Sequence, residues 1–342
     1  MGIPSIVSLY RKWFYVRNHA RILVRHLTVR RALNLVINQC EYLLRRQALI
    51  SFPGFMKIDP SNRCQLRCRG CGQSSGKFRR SLPEKSFLTL NEFKQILGPL
   101  ASTTLGVSLS ALGEPLLNRE VVAMVKYSNG LNIGVTISTN LSLDLGDEYL
   151  EALVGSGLDK LIVALDGIDK ETYEKYRVNG KYELVTENVR RLAEIKRKYC
   201  SNTPELQWKF IVFDHNIGQM SQVPILYKQL GFDSYRIDFN RDNAGIVEKA
   251  KSRFSKKRSC FWLYSTIRVD VDGSVYPCCS YTGLADWQIG NALMSDARLL
   301  WNGPSYIGLR RGFGRSDYGR FMHPTCQVCF GGKAPEVSRS ED

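Results

Sequence analysis

The chain has 342 residues, 44% of them hydrophobic and 23% charged, which suits a globular, enzyme-sized protein of one large domain plus a smaller one. No apolar run approaches the roughly 20 residues that a transmembrane helix needs. The formal charge of +16 supports only non-specific affinity for phosphate, so no specific nucleic-acid partner is expected.

In chain order, residues 1–50 hold nine of the Lys/Arg residues (Arg11, Lys12, Arg17, Arg21, Arg25, Arg30, Arg31, Arg45, Arg46) against the single acid Glu41. Leu33, Val36, Ile37, Cys40 and Leu44 recur at helical spacing among arginines, so the segment reads as a basic amphipathic helix or helices. The breaker Ser51-Phe52-Pro53-Gly54 ends it. Short β-rich runs then alternate with helical stretches: 55–58, 106–110, 134–138, 160–165, 206–213 and 234–239. Six such units predict a parallel βα array. Thr89 to Glu92 form a capping box for its first helix, and Asp169 caps the fourth. The polar, basic stretch 240–259 reads as a linker to a cysteine-bearing module that ends near residue 332, and 333–342 as a frayed tail.

The ten cysteines group as 64/68/71 and 260/278/279/326/329, with Cys40 and Cys200 apart, and no signal peptide opens the chain. Metal ligands in a reducing cytoplasm fit this grouping better than disulfides do. Cys64, Cys68 and Cys71 have no fourth cysteine or histidine after them before Cys200. Three thiolates can hold three corners of a 4Fe-4S cube and leave one iron open, whereas a structural site closes with a fourth ligand. A zinc knuckle that borrows Cys40 or a distant histidine is the alternative. Farther on, Cys260, Cys278, Cys326 and Cys329 supply four thiolates, a closed set that suits an iron–sulfur cluster or a zinc ribbon.

The Cys-x3-Cys-x2-Cys run behind a short strand resembles the radical S-adenosylmethionine (SAM) superfamily, and the later cysteines, with a hairpin turn at Asp272-Gly273, resemble its SPASM/twitch extension. The resemblance implies an α/β fold, a partial (β/α)6 barrel over 51–239, with the N-terminal amphipathic segment before it and a small auxiliary-cluster module over 240–332 behind it. It also implies SAM, two 4Fe-4S clusters and a reducing flavodoxin or ferredoxin. Ligands in such an array collect at the carboxyl ends of strands. There, Gly113 and Glu114 look like the superfamily's Gly-Gly-Glu motif, with Leu112 in place of its first glycine, and Glu114 would accept from SAM's ammonium group. Ser138, Thr139 and Asn140 would meet the ribose or the methionine carboxylate, and Asp166 and Asn216 would lie near the adenine. Gly70 stands where much of the superfamily has an aromatic, so ring packing must come from elsewhere. Arg177 reads first as an exposed helix arginine, with a contact to a carboxylate of SAM or substrate as its alternative. Cys279 is spare: it packs, replaces Cys278, or donates a proton or hydrogen, which makes it a weak catalytic candidate. His323 reads as a loop residue.

The expected enzyme is an oxidoreductase that removes an unactivated hydrogen with the 5'-deoxyadenosyl radical, an auxiliary cluster taking the second electron. Its expected substrate is a small or lipid-linked molecule. A peptide maturase is the alternative, although residues 1–50 are too short for a leader-binding winged helix. A non-catalytic metal- or nucleic-acid-binding protein, suggested by Arg310, Arg311 and Arg320, is remote. Finally, Trp13, Phe14, Tyr15 and the cations suit a helix lying on an anionic cytoplasmic leaflet, with the barrel mouth close to lipid-borne substrates. The competing expectation packs the apolar seam against the barrel.

Overall fold

A computed structural model of the chain describes residues 20–240, 260–278, 287–313 and 326. Trp13, Phe14, Tyr15, most of the linker, Cys279, Arg320, His323, Cys329 and the tail lie outside the described residues.

Each predicted strand forms, within a residue at either end: β1 Phe55–Ile58, β2 Gly106–Leu109, β3 Gly134–Thr139, β4 Lys160–Ala164, β5 Glu205–Val212 and β6 Ser234–Phe239. All five pairings among them are parallel and sequential. Helix α1 (Val29–Leu43) precedes them, and α2 (Leu90–Leu97), α3 (Val121–Gly130), α4 (Asp147–Val154), α5 (Lys170–Tyr176) and α6 (Tyr182–Lys198) lie between them. Helix α2 starts at the predicted capping box, where Thr89 Oγ1 accepts from Glu92 N at 3.3 Å and Glu92 Oε2 accepts from Thr89 N at 2.9 Å.

One face of each of β1 to β5 is apolar and buried, whereas the edge strand β6 is half-buried or exposed throughout. Leu206, Trp208, Phe210 and Val212 of β5 join Val185, Val189 and Leu192 of α6 in a single core. The other face is more polar: Lys57 stands in register with Ser108 and Arg268, Ser108 with Thr136, and Lys209 with Arg236. Register partners share a face, so this polar face runs across the array.

Among the described residues, the C-terminal part forms no separate sheet. Its strands β7 (Thr266–Val269), β8 (Ser274–Tyr276) and β9 (Gly290–Asn291) continue the first, in the order β6-β5-β4-β3-β2-β1-β7-β8-β9. Strand β7 runs parallel to β1, and the hairpin to β8 turns at Asp272-Gly273, with Gly273 at φ +83°, a conformation that favours glycine.

Helix α1 reverses the expected polarity. Leu33, Val36, Cys40 and Leu44 are exposed, while Arg31, Asn34, Asn38 and Glu41 are buried. Arg31 donates to the carbonyls of Ala101, Leu131 and Asn132, Asn34 pairs with the backbone of Phe52, and Asn38 donates to the carbonyl of Tyr264. Glu41 accepts from Ile50 N, Ser51 N and Ser51 Oγ. The expectation that the seam packs against the barrel is therefore corrected: loop backbone groups demand polar partners, and the polar face supplies them. Phe52, Ala101, Asn132 and Tyr264 each precede a strand, so α1 lies across the amino-terminal ends of β1, β2, β3 and β7.

Candidate functional site

The triad loop leaves the carboxyl end of β1 and is pinned from two sides. On one, Leu112 N donates to Asp59 Oδ2 at 2.7 Å, Gln73 Nε2 bridges the carbonyls of Asn62 (2.8 Å) and Leu112 (3.1 Å), and Glu114 N donates to the carbonyl of Arg63 at 2.7 Å. A Cβ at Gly113 would stand 2.2 Å from the Ser61 carbonyl oxygen and 2.5 Å from that of Arg63, so only glycine lets the β2 loop press this close. On the other side, Arg67 N and Arg69 N donate to the carbonyls of Val178 and Tyr176 at 2.9 and 3.1 Å.

Cys68 is buried, Cys64 half-buried and Cys71 exposed. Asn140 Nδ2 lies 3.7 Å from Cys64 Sγ, and Arg177 Nη1 lies 3.7 Å from Cys68 Sγ. Burial pushes the Cys64 thiol up to about 12. It raises the Cys68 thiol too, against the pull of Arg177. Such thiols ionise only against a strong positive charge, and donors already aim at two of the sulfurs, so the set fits an iron–sulfur cluster. Among the described residues no three His, Cys, Asp or Glu side chains converge on a single ion. A multi-iron cluster takes its thiolates at separate corners. Cys40 sits on α1 at the opposite end of the strands, so it cannot complete a zinc knuckle here.

The predicted SAM residues fall in two groups that flank the triad. In the first, Glu114 is buried, and burial raises its pKa. Its Oε1 accepts from Thr139 Oγ1 (2.6 Å) and Leu116 N (3.1 Å), and its Oε2 from Asn140 N (2.7 Å). Asn140 Oδ1 in turn accepts from Gln65 Nε2 at 2.9 Å. Ser138, half-buried, shares the face of Ile162.

In the second group, Asp166 Oδ2 takes Arg177 Nε and Nη2 at 2.8 and 2.5 Å while its Oδ1 accepts from Ile211 N at 2.8 Å. Asn216 Nδ2 donates to the carbonyls of Asp166 and Ile211, and its Oδ1 accepts from Phe213 N. The reading of Arg177 as an exposed arginine is corrected: it is half-buried, with its side chain 13% exposed, and the carboxylate it meets is the protein's own. Burial opposes its charge, but Asp166 and Cys68 outweigh that and raise its pKa. Its signal in sequence, an arginine just past a helix, is indistinguishable from a solvated one.

A cavity of about 410 Å³ opens beside the loop, lined by Arg69, Gly70, Lys175, Tyr176, Phe213, Asp214, His215 and Asn240. The rings of Tyr176 and Phe213 stand 4.0 Å apart and those of Phe213 and His215 5.6 Å. These rings, missed in the sequence because they come from the end of α5 and from the separate loop after β5, supply an aromatic wall next to Gly70.

In the C-terminal module, Cys260 precedes the short helix Trp262–Ser265 and Cys278 follows β8. Burial raises the pKa of Tyr264 and of Tyr306, and negative charge at Cys260 and Cys278 adds to the rise. Arg310 joins the two rings, at 5.8 Å from the Tyr264 centroid and 5.0 Å from that of Tyr306. It is buried, donates to the Leu263 carbonyl at 2.9 Å, and burial lowers its pKa to about 10. It is a core residue and offers no contact to nucleic acid.

A parallel βα sheet that carries three cysteines behind its first strand, with polar groups from later strand ends gathered round them, defines a class of protein that binds an open-iron cluster and its cofactor. Residues 58–204 match the radical SAM superfamily, and residues 260–330 match SPASM, an iron-sulfur cluster-binding domain. The chain belongs to the radical SAM superfamily and carries a C-terminal SPASM domain. SAM and 4Fe-4S clusters are thereby implied.

The chain is similar to the AdoMet-dependent heme synthase of Methanosarcina barkeri (strain Fusaro / DSM 804), 26% identical over 193 residues, 56% of this chain and 52% of that protein. It thus spans about half the length of that relative. In fold it resembles Streptococcus suis SuiB bound to precursor peptide SuiA, with TM-score 0.64, 15% identity, and coverage of 99% of this chain and 90% of that one. It also resembles BtrN in complex with AdoMet and 2-DOIA, with TM-score 0.50, 14% identity, and coverage of 82% and 92%.

Proposed function

We propose that this radical SAM enzyme oxidatively modifies a peptide, with Cys64, Cys68 and Cys71 holding the SAM-binding cluster and Cys260, Cys278, Cys326 and Cys329 an auxiliary one. When bound and reduced by a flavodoxin or ferredoxin in a reducing cytoplasm, the first cluster supplies the electron that cleaves SAM to a 5'-deoxyadenosyl radical. The chain's own residues bind and orient. Glu114 holds Asn140 against Cys64, and the lone pair left on Oε2 remains for SAM's ammonium group. Gly113 keeps the two loops in contact, Ser138 offers a hydroxyl at the end of β3, and Thr139 spends its own on fixing Glu114. Arg177, fixed by Asp166, faces Cys68, and Asn216 braces the loop that presents Phe213. The Tyr176–Phe213–His215 wall suits a purine ring and replaces the aromatic absent at Gly70.

The observation that carries the SAM half is the pinning of the triad loop between Gly113–Glu114 and Arg177, with donors aimed at its sulfurs. The peptide half is supported by fold likeness over 99% of the chain to a protein solved with a precursor peptide. A mouth on the side away from α1 also favours a substrate arriving from solvent. Small-molecule dehydrogenation, the reading first expected from sequence, remains second, favoured by the single set of four auxiliary cysteines and the likeness to BtrN.

The test is anaerobic reconstitution with SAM and a reductant, then deuterium transfer into 5'-deoxyadenosine from labelled peptides or from a labelled small-molecule extract. Label from peptide supports the proposal, label from the small-molecule fraction alone moves it to the second reading, and absence of 5'-deoxyadenosine overturns the SAM half.

A further inference from the structure

The outward face of α1 has no role in the site. Val29, Leu33, Val36, Leu43 and Leu44 are 79%, 58%, 61%, 68% and 73% exposed. Positions 29, 33, 36, 40 and 43 follow one another at four and three residues, which draws a single stripe along the helix. Val24 and Leu27 before the helix and Ile50 after it are exposed too, at 85%, 46% and 75%. The stripe cannot turn inward, because Arg31, Asn34, Asn38 and Glu41 on the opposite face are bound to loop backbone and to Ser51. Arg30, Arg45 and Arg46 are exposed around it. Glu41, the one acid of residues 20–50, is buried on the inner face, so nothing acidic in that segment neutralises them.

We propose that α1 docks the chain on an anionic lipid surface, with its apolar stripe in the headgroup boundary and Arg30, Arg45 and Arg46 on the lipid phosphates. An apolar stripe rimmed by uncompensated cations is the pattern of a helix lying in the interface plane, and charge complementarity selects an anionic leaflet. No helix among the described residues is long and apolar enough to cross a membrane, so the attachment lies at the surface. The orientation corrects the sequence expectation. Helix α1 covers the amino-terminal ends of the strands and the triad loop follows a carboxyl end, so docking turns the barrel mouth away from the bilayer.

The experiment uses the reconstituted full chain with phosphatidylcholine vesicles that contain or lack phosphatidylglycerol, scored by flotation and by maleimide reactivity of the exposed Cys40. Phosphatidylglycerol vesicles are expected to float the protein and shield Cys40 at low salt, and neutral vesicles to do neither. The Arg30→Gln/Arg45→Gln/Arg46→Gln variant is expected to bind on the order of 100-fold more weakly. Leu33→Ser/Val36→Ser/Leu43→Ser, changed only at exposed positions and checked by retained iron, is expected to lose flotation as well. Failure of the wild type to float on anionic vesicles at low salt overturns the proposal, as does wild-type flotation of the serine variant. A concentration-dependent dimer that the serine variant dissolves, with Cys40 unshielded by vesicles, makes the stripe a contact between copies and overturns it too.

Discussion

Arg177 is the residue on which the two halves of the site meet, because it forks onto Asp166 and points its other amine at Cys68. Asp166 is fully buried, so removal of the guanidinium leaves a carboxylate without its partner. Arg177→Met is expected to cost about 3–5 kcal/mol. Arg177→Lys, which keeps the charge but loses the planar fork, should cost less. Thermal melts of the apo chain check the order, and iron retention after reconstitution checks the link to Cys68. A second buried carboxyl titrates in an accessible range. Burial first, and the charge of Asp270 second, raise Asp59 to about 7. A carboxyl raised on folding is protonated in the folded chain and ionised in the unfolded one between its ordinary range and that value. Its contribution is therefore present at acid pH and lost as pH climbs through 7. Asp59→Asn keeps an acceptor for Leu112 N and removes the titration, so its melting temperature relative to wild type should rise from pH 5 to pH 8. A difference that stays flat with pH would count against a raised Asp59.

At the scale of elements, α1 shows what periodicity tells and what it omits. Its apolar residues repeat at helical spacing and so announced a helix, but Arg31, Asn34, Asn38 and Glu41 repeat at the same spacing on the other side. Which face turns inward depends on the backbone groups waiting there, at Phe52, Ala101, Asn132 and Tyr264, and those come from distant parts of the chain. The strands were legible for the opposite reason, since alternating and continuous β-branched runs carry their own burial signal. The inversion predicts an unusual contrast. Glu41→Ala strands Ile50 N and the Ser51 amide and hydroxyl, and is expected to cost about 2–3 kcal/mol. Leu33→Ser, at an exposed position, should change stability by no more than about 0.5 kcal/mol. Denaturant titration of the two variants reads both values, and a larger loss for Leu33→Ser would mean that the stripe is covered in the folded protein.

For the whole molecule, the consequential feature is the parallel pairing of β7 with β1, from Phe55 opposite Thr266 to Ile58 opposite Val269. The sequence suggested a barrel, a linker and a separate module, because a pairing between segments some two hundred residues apart leaves no local mark. The cysteines of both ends were legible from spacing; their attachment to one continuous sheet was not. Asp59 N donates to the Val269 carbonyl at 2.9 Å, so the loop that starts toward Cys64 is itself anchored on the SPASM side. Truncation after residue 259 would bare the β1 edge and is expected to leave an aggregating barrel. A point variant separates the chemistry without that damage. Cys260→Ala removes one auxiliary ligand while β7 stays in place, and total iron should fall from about eight to about four per chain. Reductive cleavage of SAM should continue, because the triad and its bracing by Glu114 and Arg177 are untouched. Product should not form, because the electron released by the oxidised substrate then has no acceptor. Measured 5'-deoxyadenosine without modified substrate would match this division. Product at the wild-type rate would reduce the SPASM cysteines to a structural role and leave the oxidation to be completed at the triad cluster alone.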